Sequence, residues 1–339
     1  MVADPRSRVS DGHDRHTGPA GRRGPPPSGE VRANDRGPAA AAGLLAVQAC
    51  TPTSSGQPAR TTSAAAGANP LDNVGTAGNT LAVKIDNVGA GVQALHRGLA
   101  QADIVYWIQV EGGLSRFLAV YDANHLPASV GPVRSARQTD IPLLQQYGRL
   151  DFAYSGAISG LLPLLAAADL QSVTPLTDPG LFTNRGTDPT FVDPHQVLAR
   201  YPSVPARSPG FVFGAAPAGG TALDARTWHL PAASLGVRFD GSTYQVTVDG
   251  RPGWSGTATV VAQHVGIVPG LFTDHNAGHP DNEVFTRTTG SGRAEVLRDG
   301  KVWDTRWSRP DPAAGTSFTL ADGTPMTFAT GPVLMVMVP

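Results

Sequence analysis

The residues best placed to do chemistry are Asp86, Glu111, Arg116, Arg134, Arg137, Asp140 and His195, most of them at strand ends or in the loops that follow. Glu111 closes the apolar run Ile104-Val-Tyr-Trp-Ile-Gln-Val110 and is followed by Gly112-Gly113, which admit a ligand close to the backbone. Desolvation raises the pKa of a carboxyl at the edge of an apolar strand, as a general acid requires. With Asp86 as its carboxylate partner and His195 as proton carrier, the set describes a hydrolase or lyase site. The competing reading is structural, a buried ion pair from Glu111 to Arg116 or Arg134 that fixes the loop.

Arg134 and Arg137 lie in Gly131-Pro-Val-Arg-Ser-Ala-Arg137, a turn leading into a helical pattern that carries Asp140. Two guanidinium forks there suit a carboxylate or phosphate, and Arg116 and Asp140 complete a ligand-binding set. The arginines can equally pair inward with Asp86, Glu111 or Asp140. His195, after Pro194, fits a loop residue bonded to backbone as well as a proton carrier. The segment from Asp274 to Asp281 holds His275 and His279, but its Gly and Pro exclude a helix that would bring both to one face, so no metal site is expected. No nucleophile elbow surrounds Ser155 or Ser159, and no cofactor signature appears.

These residues need strands to hold them. Residues 81–86, 103–110 and 116–121 are short, β-branched or aromatic segments bounded by Gly, Asn and Asp. Helical spacing appears over 92–101, 138–147 and 159–170, with Ser159 as N-cap of the last, and 151–154 reads as a strand between the second and third. Alternating strands and helices over 80–208 predict an α/β domain. After a Pro-, Gly- and Ala-rich boundary, residues 222–339 show short strands separated by turns, including a hairpin with Asp299-Gly300 at its tip, and predict an all-β domain.

With 26 basic and 27 acidic residues the chain has a formal net charge of -1, and no basic stripe marks the ordered part, so nucleic-acid binding is not expected. The single cysteine, Cys50, excludes an internal disulfide. It follows an apolar run over 39–49 that is too short to span a bilayer and about the length of a signal-peptide core. This resembles a lipobox, with Gln48 where a small residue is usual. Residues 1–50 thus read as a leader with Cys50 as its lipidation site, and Val31 as a plausible initiator that would place Arg32 and Arg36 before the core. Residues 51–79, nearly all Thr, Ser, Ala, Gly and Pro, read as a disordered linker.

Several motifs resemble the YerB-like lipoproteins, a bacterial family of unknown function: Ala82-Val-Lys-Ile-Asp-Asn87, Ala102-Asp-Ile-Val-Tyr106, Glu111-Gly-Gly113 with Arg116-Phe117, and Gly131 through Arg137. Pro194-His195, Gly290-Ser-Gly292, Asp299-Gly-Lys301, Trp307 and the final Val-Met-Val-Pro add to the likeness. The resemblance implies an N-terminal α/β domain, a C-terminal β domain and export with a lipid anchor at the outer face of the cytoplasmic membrane. It implies no reaction. Gln196 and the loop Tyr154-Ser-Gly-Ala157 depart from the family pattern. The expected function is a non-catalytic envelope protein whose α/β domain binds a glycan, peptide or anionic polymer; the alternative is a peptidoglycan hydrolase or lyase with Glu111 as general acid.

Overall fold

The structure is a computed structural model that describes residues 68–184, 190–274 and 281–339. Cys50, the leader and most of the expected linker lie outside the described residues, as do His275 and His279. The linker ends earlier than its composition predicts. Ala68 bridges to Thr76, and Asn69, Leu71 and Asp72 are buried, so residues 68–79 pack as part of the body. One apolar side chain, Leu71, inserted into the core is enough to tie down a segment otherwise made of small residues.

The principal strands are β1 (Thr80–Asp86), β2 (Ile104–Gln109), β3 (Ser115–Asp122), β4 (Leu150–Ala153), β5 (Leu170–Val173), β6 (Ala225–Leu230), β7 (Ala233–Phe239), β8 (Tyr244–Val248), β9 (Thr259–His264), β10 (Ile267–Asp274), β11 (Asp281–Thr286), β12 (Gly290–Arg298), β13 (Lys301–Arg309), β14 (Ser317–Thr319) and β15 (Val333–Val338). The helices are short: α1 (Ala90–Gln93), α2 (Asp140–Leu144), α3 (Leu162–Ala167) and α4 (Pro194–Arg200). Strands and helices do alternate in the first half, and the second half is built mainly of strands, as expected.

The halves are not separate in space. One mixed sheet runs β14-β13-β12-β9-β15-β2-β3-β1-β4-β5. The last strand, β15, lies parallel to β9 on one side and to β2 on the other, pairing Val336 with both Ala262 and Trp107. Its sequence, Val-Leu-Met-Val-Met-Val, is apolar at every position because both of its faces are covered. On one face the core gathers Tyr106, Leu118 and Met335 with Leu143, Leu144, Tyr147, Leu161 and Leu165 from the helical segments. On the other, Trp107, Phe117 and Val336 meet Trp228, Leu235, Val237 and Val246 of the small β6–β7–β8 sheet.

The helices are shorter than their spacing predicts. The 92–101 pattern yields a single turn in α1 and a separate 3-10 turn at Leu99–Gln101, interrupted by Gly98 in a left-handed conformation (φ 87°). The 138–147 pattern gives α2 followed by a 3-10 turn at Gln145–Tyr147. Ser159 caps nothing: it opens a 3-10 turn at Ser159–Leu161 before α3, and Leu170 belongs to β5. The Asp299-Gly300 turn between β12 and β13 has positive φ at both residues (51° and 68°), the conformation its dipeptide favours.

Candidate functional site

The β2–β3 hairpin positions the first charged cluster. Glu111 sits in its turn, where Gly112 and Gly113 both take positive φ (66° and 71°). Their role differs from the one their type implies. A Cβ on Gly113 would lie 2.6 Å from Pro231, so close approach there serves the fold's own chain rather than a ligand. Arg116 projects from the start of β3, and Arg137 from the loop before α2.

Both arginines turn onto Glu111. Arg137 holds it bidentately, through Nε to Oε2 at 2.7 Å and through Nη2 to Oε1. Arg116 Nη2 reaches Oε1 at 3.3 Å, while its Nη1 donates to Ser135 O at 3.1 Å. Burial alone would raise the Glu111 pKa, but the Arg137 hydrogen bonds and the two positive charges overcome it and hold the carboxyl at about 2. Glu111 is therefore a fixed anion, and the general-acid role expected of it loses its physical basis. Of the two readings of this residue, the structural one describes the geometry, with Arg137 as chief partner.

Behind this group lies a second buried pair. Lys84 of β1 donates to Asp140 Oδ1 at 2.7 Å with both side chains fully buried, and Asp140 Oδ2 accepts the Arg137 backbone N–H at 2.7 Å. Asp140 and Arg137 thus hold the loop entering α2 and are not available to a ligand. The second half of the chain supplies a member that the sequence did not disclose. Glu283 of β11 brings Oε1 to 3.5 Å from Arg137 Nε, without a hydrogen bond between the two side chains. Burial pushes its pKa up to about 7 against the pull of Arg137, with Glu111 and Asp140 adding to the rise. Its only sequence signal is an acid beside the apolar Val284-Phe285, in a stretch whose neighbours read as a polar loop.

Asp86, opposite Arg116 in the β1–β3 ladder, and Arg134 border this cluster on its exposed side, at the carboxyl end of β1. Asp86 Oδ1 accepts the backbone N–H of Asn87 at 2.9 Å, and Oδ2 lies 3.4 Å from Arg134 Nε. Arg134 keeps 45% of its side chain exposed, where Arg116 and Arg137 keep 7% and 6%, so it alone of the three offers its guanidinium to a ligand. The two residues edge a cleft of about 250 Å³ whose floor is Val88, Val92, Leu95, Pro132 and Val133.

His195 does not join them. It is exposed on α4, where its backbone N–H is bonded at 3.0 Å by the Asp193 carboxylate that caps the helix. No hydrogen bond or ion pair among the described residues links its ring to Glu111 or Asp86. The histidine near Asp86 is His96, whose Nε2 lies 2.8 Å from Asp86 O and whose ring packs edge-on against Phe117. Burial lowers its pKa and keeps it neutral. A lone His in a weak helical pattern carried no spacing signal.

The other end of the same hairpin bears a different polar group, separated from Glu111 by roughly 20 Å of strand. Asp72, Asp103 and His125 bring two carboxylate oxygens and an imidazole nitrogen within 4.8 Å of one another, a donor set with the chemistry to accept a divalent cation. His125 Nδ1 lies 3.2 Å from Asp103 and 3.8 Å from Asp72. The sequence reading missed this group because Asp72 fell within the expected linker.

Residues 66–210 match the N-terminal domain of DUF3048, described as a protein of unknown function, and residues 234–334 match its C-terminal domain. The chain belongs to the DUF3048 family. Among solved structures, it is similar to the YerB protein from Bacillus subtilis, at 18% identity and a TM-score of 0.63, covering 80% of this chain and 96% of that one. At that identity the likeness speaks for the fold alone. No curated protein matches the chain. The family membership agrees with the resemblance to the YerB-like group and, like it, brings no reaction.

Proposed function

We propose that this DUF3048 member is an exported, lipid-anchored envelope protein that binds a cell-wall glycan, peptide or anionic polymer without transforming it. The observation that carries the binding reading is the Asp86–Arg134 cleft. It combines an accessible guanidinium, a carboxylate beside it and an apolar floor at the carboxyl end of a strand, the position where α/β sheets commonly receive ligands. An anionic group displaces Asp86 from Arg134, and an apolar or sugar-ring face lies on Val92 and Leu95. The anchor reading rests on Cys50 and the apolar run before it.

The lytic alternative has less support, because Glu111 is held ionised by two arginines and His195 lies elsewhere. The experiment is sedimentation of the full chain with purified sacculi. Wild type is expected to pellet without releasing soluble fragments, and Arg134→Ala to stay in the supernatant. Fragment release by the wild type, abolished in a Glu111→Gln variant whose melt shows it folded, would instead establish catalysis, and absence of both pelleting and release would remove the cell wall as ligand.

A further inference from the structure

At the amino end of β4, remote in sequence from the Asp86–Arg134 cleft, a polar pocket of about 210 Å³ is lined by Arg149, Asp151, Gln171, Tyr201, Pro202 and Ser203. Asp151 is 1% exposed, yet its Oδ2 has no hydrogen-bond partner. A buried carboxyl left without a partner is costly, and folds rarely keep one unless something else satisfies it. We propose that this pocket binds a small zwitterion of the α-amino-acid type, with its ammonium on Asp151 and its carboxylate on Arg149.

The arrangement of the strand supports this pairing. Arg149, in the bend that leads into β4, and Asp151, on the strand itself, both line the pocket. Arg149 is engaged by Asp169 at 3.2 Å, but both side chains are more than half exposed, and such a pair is easily exchanged for a ligand carboxylate. On β5, Gln171 stands in register with Asp151. Its amide donates to Ser172 O at 3.2 Å, which leaves Oε1 to accept a second ammonium hydrogen.

The remaining polar walls are already committed. Tyr201 donates to Asp178 at 2.6 Å, and Ser203 exchanges hydrogen bonds with the Thr80 backbone. They shape the pocket and leave Asp151 and Gln171 as its acceptors. The volume falls below the range of drug-sized sites and suits a ligand of one amino acid. Burial also pushes the Asp151 carboxyl up to about 7, with Arg149 opposing, so an arriving ammonium group would restore its charge.

The test is calorimetric titration of the full chain with glycine, L-alanine and D-alanine, using glycinamide and acetate as probes that each lack one charge. Saturable binding of at least one amino acid is expected, at least about tenfold weaker for glycinamide, for acetate and for the isosteric Asp151→Asn variant. Arg149→Gln, at an exposed position where folding is not at stake, should erase the preference for glycine over glycinamide. Binding by none of the amino acids, binding unchanged in Asp151→Asn of native melting behaviour, or an unaltered preference in Arg149→Gln would each overturn the proposal.

Discussion

Glu283 faces Arg137 across 3.5 Å without a hydrogen bond between them, while the same guanidinium holds Glu111 bidentately. One cation thus stands between two buried acids from opposite halves of the chain, and it satisfies only one of them. The acids therefore answer differently to the same isosteric change. Glu283→Gln removes a poorly paired buried charge and is expected to raise stability at neutral pH by about 1 kcal/mol. Glu111→Gln strands Arg116 and Arg137 and is expected to cost about 3–5 kcal/mol. Urea melts of the two variants check this, and equal effects would refute the assignment.

Stability should peak in mildly acidic solution. Glu283 and Asp151 rise to about 7 from ordinary values of 4.5 and 3.8, so the folded chain binds more protons than the unfolded one between about 4 and 7. Their contribution is complete below the unfolded values and is lost as pH rises through 7. Glu111, depressed to about 2, acts in the opposite sense: its contribution is present above 4.5 and lost as pH falls toward 2. Melting temperature against pH should therefore fall on both sides of about pH 4.5. Asp103, also pushed up to about 7 by burial, acts in the same sense, so the double variant Glu283→Gln/Asp151→Asn should make the neutral limb shallower without abolishing it and leave the acid limb in place.

The halves should not fold alone. Residues 68–210 lack β15, so the apolar edge of β2 is open, and residues 222–339 lack β2 against β15. Each expressed separately is expected to show no cooperative unfolding transition, whereas mixing them should restore one. A sharp transition in either fragment by circular dichroism would contradict this.

At the envelope, Cys50→Ala is expected to move the protein from the membrane fraction to the medium. Unchanged fractionation would dispose of the anchor. Arg134→Ala should leave fractionation alone and reduce sacculus binding at least about tenfold, as loss of a charged hydrogen-bond donor implies.

Much of the frame was legible because it follows local rules. Alternating and apolar runs announced β1, β2 and β3, and Asp299-Gly300 announced its hairpin. Arg137 with Glu111 and Asp140 was visible as a set, since inward pairing was one of its two readings. What local pattern could not supply was pairing at a distance. Residues 222–339 read as a domain of their own because their composition changes, yet Val333–Val338 hydrogen-bonds into the middle of the first half's sheet. Glu283 was invisible for the same reason, since its meaning comes from Arg137, which no spacing connects to it. Asp151 passed unremarked because an Asp near a strand start is ordinary until the pocket around it is seen. His195, by contrast, has a local explanation: its Pro-His motif forms the first turn of α4, capped by Asp193.

The placement of β15 also sets the order in which the molecule can be finished. Contacts between β2 and the end of the chain span most of its length, so they close late and slowly. Until Val333–Val338 arrives, the central sheet is in two parts, and β2 and β9 each present an unpaired apolar edge that invites pairing with other chains. Quality control of this protein would therefore turn on its last strand: a chain cut short there is not a slightly smaller protein but one whose central sheet is split, with β2 and β9 left as open edges.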